Sequence, residues 1–103
     1  LMLKRLPLMS IPTKRKEFLD DAEKLINGDR EKEYGDPFKN FKDIAAGWSL
    51  ITGSEITATQ VTLMMAWLKM ARLFKTPNHS DSWVDLIGYA ALGGELSQKE
   101  EKK

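Results

Sequence analysis

Apolar positions recur every three or four residues in four separate stretches of this chain and nowhere alternate with period two. The pattern therefore predicts four helices and no sheet. The first covers residues 13–27, with Phe18, Ala22, Leu25 and Ile26 on one face, Pro12 at its start and Asn27-Gly28 as a stop signal. The second begins at Pro37 behind Asp36 as N-cap. It sets Phe38, Phe41, Ile44, Ala45, Trp48 and Ile51 on one side and ends at Gly53. The third opens on Thr57-Ala58-Thr59-Gln60, a capping-box pattern, and runs to about Lys75, before Pro77. The fourth starts near Ser80 with Asp81 in its first turn and continues through Trp83, Leu86, Ile87, Ala90 and Ala91 to Leu96. Short connections between such helices predict a small antiparallel four-helix bundle, all-α, over residues 13–97. Residues 1–12 read as a flexible extension, of which 1–8 look like an upstream addition, and 98–103 read as a fraying charged tail.

The third helix is the unusual one. Over residues 61–74, VTLMMAWLKMARLF, apolar side chains occupy nearly every direction, which predicts a central element buried all round. Yet Thr62, Met65, Lys69 and Arg72, spaced three, four and three apart, share one narrow stripe. Cations inside an apolar element need an anionic partner, either an internal carboxylate or a bound anion. The expectation is that Lys69 and Arg72 are mostly buried and within reach of Asp81 or Asp85.

Composition narrows the function classes. One hundred and three residues suffice for one domain with a modest core. Sixteen basic against fifteen acidic residues leave a net charge of +1, so no global field points to duplex nucleic acid or an anionic membrane. No stretch has the apolar length of a membrane span or secretory signal. The absence of cysteine excludes disulfides, thiolate metal sites and cysteine nucleophiles, and it suits a reducing, cytoplasmic setting. Three tryptophans and five methionines give more apolar surface than four short helices easily cover, which predicts a homo-oligomer.

Three constellations carry candidate chemistry. Asp81 and Asp85, one turn apart, present two carboxylates to one side, with Tyr89 a turn further along. Such a pair suits oxygen ligation of a divalent cation, or simply a helix cap and a partner for Lys69 or Arg72. Glu17, Asp20 and Asp21 on the first helix form either a solvated face or, if turned toward the fourth helix, the rest of an acidic cluster holding magnesium with a polyphosphate. Arg30, Lys69, Arg72 and His79 form a basic group of the kind that binds phosphate, with snorkelling of the long stems as the competing account. Residues 28–36 make a long connection, charge-rich and bounded by Gly28 and Gly35, which holds Tyr34 beside the cap of the second helix. Tyr34 is expected either at the entrance of a pocket, offering a flat face to a base, or as a plug for the bundle end. No Gly-rich phosphate loop or serine-nucleophile motif occurs.

The strings NGDREKEYGDPFKNF, VTLMMAWLKMARL and HSDSWVDLIGYAAL resemble a group of small phage and prophage proteins of unassigned function. They are also similar to phage nucleotide-modification-associated domains, in a Tyr-Gly followed by Phe, a Lys-x-x-Arg on a middle helix, and an Asp-x-x-x-Asp followed by Tyr-Ala. The resemblance covers residues 27–96. More distantly, the layout is similar to all-α nucleoside triphosphate pyrophosphohydrolases of the MazG and dUTPase type, which act with magnesium. Those enzymes carry E-x-x-E and E-x-x-D on two helices. Here the second helix offers only Asp43 and the third no acid.

The resemblance implies a phage-type protein that binds a nucleotide or nucleotide derivative and sequesters it. Arg30, Lys69, Arg72 and His79 would meet phosphate, Tyr34 and Tyr89 base or ribose, and Asp81 and Asp85 would orient the cations. The alternative is a magnesium-dependent pyrophosphohydrolase in which Asp81 and Asp85, with Glu17 and Asp21, hold the metal. A third class is a protein-binding phage inhibitor in which these charges form an internal ion-pair network. Four converging acids would mark the enzyme, an open basic pocket the nucleotide binder, and a closed network the interaction protein.

Overall fold

The computed structural model describes residues 13–29 and 36–101, which are mostly helix with no strand among them. Helix α1, Lys14–Lys24, starts at Thr13, whose hydroxyl accepts from the Lys16 amide at 3.2 Å. It widens into a π-type turn, Leu25–Asp29, where Gly28 leaves helical geometry (φ −113°, ψ −105°). Helix α2, Pro37–Thr52, is capped by Asp36, which accepts from Phe38 N at 3.0 Å. Gly53 ends it with φ 72°, a conformation that glycine adopts without Cβ strain. Helix α3, Ala58–Lys75, forms the expected capping box. Thr57 Oγ1 accepts from Gln60 N at 3.1 Å, and Gln60 Oε1 accepts from Thr57 N at 2.9 Å. Helix α4 runs Ser80–Glu101 and so continues past Leu96 through most of the segment expected to fray.

The reason is at its far end. The Glu100 carboxylate accepts from Thr59 N at 2.8 Å and from the Thr59 hydroxyl at 2.6 Å, satisfying an otherwise orphaned amide of the α3 N-terminus. Lys99 sits over the Phe38 ring, 3.5 Å from its centroid. These contacts hold the last turns of α4 in place.

Helices α3 and α4 pack against each other most extensively and run antiparallel, since Thr59 meets Glu100, Thr62 meets Gly93 and Lys69 meets Asp85. Small residues set the spacing. A Cβ on Gly93 would lie 2.5 Å from Thr62 Oγ1, and one on Gly88 would lie 3.1 Å from Ile26 Cγ2 of the α1 turn. Helix α1 therefore lies along the first half of α4, while α2 packs on α3. The Ser49 hydroxyl ties α2 to α3. It donates to Ala45 O at 2.7 Å and accepts from Ile56 N at 2.8 Å. The core is formed by Phe41, Ala45, Ala58, Val61, Ala66, Tyr89, Leu92 and Leu96. No described helix is long and apolar enough to cross a membrane.

Helix α3 corrects the expectation of burial all round. Its inner face is the stripe that carries the polar residues: Ala58, Val61, Thr62, Ala66 and Leu73 are buried, with Met65 and Lys69 partly so. The large apolar residues lie on the opposite side, in solvent. Leu63 is 65% exposed, Trp67 63%, Leu68 57% and Phe74 79%. Small and slim side chains let α3 approach α4 closely, and the bulky ones point away.

Candidate functional site

Two surfaces stand out, one polar and one apolar. The polar one is a cleft of about 410 Å³ between α1 and α4, lined by Asp21, Lys24, Leu25, Asp81, Val84 and Asp85. The spacing of four between Asp81 and Asp85 turns both toward α1, and Asp21 approaches from the other side. Asp85 also meets Lys69, with Nζ 3.0 Å from Oδ2 and side chains 22% and 30% exposed. Among the described residues it is the one ion pair that joins two helices, since the others lie within α1 or α2.

The remaining sequence-level candidates separate. Arg72 is exposed, and among the described residues it makes no ion pair, contrary to the expectation of a buried partner. Its position at the margin of the inner stripe lets the long stem carry the guanidinium out to water. Tyr89 is not in the cleft wall. It is buried and packs edge-on against Phe41, with ring centroids 6.4 Å apart at 72°. His79 is a capping residue: its Nδ1 lies 2.8 Å from Ser82 Oγ and 3.3 Å from Ser82 N, in the first turn of α4. Glu17 pairs with Lys14 at 3.2 Å and Asp20 with Lys16 at 2.7 Å, both on the solvated side of α1. The Lys16 pKa is raised by the hydrogen bond to Asp20 and by its negative charge. Of the helix-one acids, only Asp21 reaches the cleft. Among the described residues no three acidic or histidine side chains converge to hold a metal ion, so Asp81, Asp85, Glu17 and Asp21 do not form the expected magnesium set. Arg30 and Tyr34 lie outside the described residues.

Sequence reasoning missed Lys24, which lines the cleft two turns after Glu17. It also missed the larger surface. Trp48 of α2 and Leu63, Met64, Trp67 and Leu68 of α3 line a hollow of about 490 Å³ on the outer side of α3. Met70 and Phe74 extend the same side toward the helix C-terminus, and Ile51, 83% exposed, lies one turn beyond Trp48. Apolar surface gathered in this way is unfavourable in water. A signal for it lies in the sequence: Ala58, Thr62 and Ala66 on α3 and Gly88 and Gly93 on α4 form the small-residue sides where helices approach closely. The bulky side of α3 must then face elsewhere.

Comparison with known proteins gives a family. The model of one family, described as "Domain of unknown function (DUF6378)", matches residues 17–97. The chain is 44% identical over 72 residues to the Gene 55 protein of Mycobacterium phage D29, covering 70% of this chain and 48% of that protein. It is 37% identical over 86 residues to the Gene 55 protein of Mycobacterium phage L5, covering 82% of this chain and 55% of that protein. The chain thus spans about half the length of these relatives. No solved structure matches it. These findings support the resemblance to phage proteins of unassigned function. They lend nothing to the likeness to nucleotide-modification-associated domains or to MazG and dUTPase-type enzymes.

Proposed function

The chain belongs to DUF6378, a phage protein family of unknown function, and from that premise we propose that this domain is a docking module whose working surface is the outer side of α3. One observation carries the reading. Trp67, Leu63, Leu68 and Phe74 are each more than half exposed on a single helix whose other side already fills the core. Leaving that much apolar area in water costs roughly 25 cal/mol per Å², and a partner recovers it on binding. Aromatic anchors beside a hollow also match the make-up of binding hot spots.

The test is sedimentation of the tagged chain in an extract of the bacterial cells that produce it. The docking reading expects particles heavier than the 11.7 kDa chain, and expects Trp67→Glu to return it to monomer mass without loss of helical signal. Native chain sedimenting as a monomer in that extract would overturn it.

A second reading keeps a nucleotide-type ligand, favoured by the α1–α4 cleft. Asp21, Asp81 and Asp85 outweigh Lys24 there, so the cleft would accept hydrogen bonds from a base or ribose rather than hold a bare phosphate. Thermal denaturation against a nucleotide panel tests it. A ligand at about 100 times its dissociation constant adds roughly 2.7 kcal/mol. A shift with any nucleotide supports this reading, and no shift with any of them removes it.

A further inference from the structure

We propose that the occupant of the α3 outer face is a second copy of this chain, paired antiparallel with its own α3 across a twofold axis near Leu68; the inference rests on the docking reading. Three observations converge on a self-matched seam. Leu63, Trp67, Met70 and Phe74 are spaced four, three and four apart, the repeat by which helices interlock side by side. With Met64 and Leu68 alongside, all six are at least about a third exposed, from 36% for Met70 to 79% for Phe74. Their exposed surface is on the order of 700 Å², close to the roughly 800 Å² per partner of a standard interface.

Charge selects the direction. Helix α3 carries no acid and ends in Arg72 and Lys75. Parallel pairing sets Lys75 beside Lys75 and aligns the two helix dipoles side by side. Antiparallel pairing about that axis moves the two Lys75 ends apart, sets Leu63 of each copy across from Phe74 of the other and opposes the dipoles. An isologous contact of this kind makes each such pair twice and closes without open ends.

The purified full chain is measured by sedimentation across a dilution series, together with Trp67→Glu, and a mixture of Leu63→Cys and Phe74→Cys chains is oxidised and its disulfides are mapped. The native chain is expected to pass from 11.7 kDa to twice that mass as concentration rises, and Trp67→Glu to stay at 11.7 kDa with its cooperative thermal transition retained. The crossed disulfide between the Leu63→Cys and Phe74→Cys variants is expected to exceed either self-disulfide by about three- to tenfold. Self-disulfides of either variant in excess of the crossed product overturn the antiparallel register. A native chain that is monomeric throughout overturns the self-pairing, including the case in which Trp67 is shielded by another segment of the same chain. If that monomer still forms heavy particles in the cell extract, only the second-copy inference fails; if it does not, the docking reading fails with it.

Discussion

Lys69 and Asp85 share the inner face between α3 and α4 at 3.0 Å, neither fully dry nor fully solvated. Pairs in that regime are worth more than exposed ones and less than buried ones. A double-mutant cycle with Lys69→Met and Asp85→Asn should return a coupling of about 1 kcal/mol that falls as salt is added. Coupling below about 0.2 kcal/mol would show that the pair only decorates the cleft. Arg72, three residues on, is in solvent, so Arg72→Ala should change unfolding stability by less than about 0.5 kcal/mol. The two cations look alike in the sequence. Which of them meets a carboxylate depends on a few tens of degrees around the helix axis, which spacing alone does not resolve. Two adjacent glycines divide in the same way. A methyl on Gly93 would press on Thr62 at 2.5 Å, whereas one on Gly94 meets open space. Urea denaturation should show Gly93→Ala losing about 1 to 3 kcal/mol and Gly94→Ala gaining up to about 1 kcal/mol from helix propensity.

At the scale of elements, the helix starts were legible because their signals are local. Asp36 and the Thr57/Gln60 box each bond the amides that their positions predict, and Thr13, where the first helix was expected to begin, caps it instead of joining it. The end of α4 was not legible, because what secures it is forty-one residues away in sequence: Glu100 on Thr59. Glu100→Ala should therefore cost about 1 to 2 kcal/mol in chemical denaturation and raise amide exchange in the last turns of α4. If exchange there is unchanged, the contact does not hold the helix. The orientation of α3 was misread for a related reason. Hydrophobic character ranks Trp67 and Leu63 above Ala58 and Thr62 as core residues, but close packing against Gly93 selects the small side chains. Of the candidate site, Asp81, Asp85 and Asp21 were legible from spacing. The capping role of His79 and the core role of Tyr89 depend on helix rotation and packing that a single sequence leaves open.

At the scale of the whole molecule, the polar cleft lies between α1 and α4 and the apolar hollow lies between α2 and the far side of α3. The core separates them, so substitutions in one should add independently to substitutions in the other. The account turns on Trp67 facing away from the core until a partner covers it. The direct measurement is the fluorescence of Trp67 alone, in the full chain carrying Trp48→Phe and Trp83→Phe, across dilution. The account predicts red-shifted, readily quenched emission in the dilute monomer, shifting blue and losing quencher access as the mass rises. Blue, shielded emission in a dilute monomer would contradict it, because Trp67 would then belong to the core.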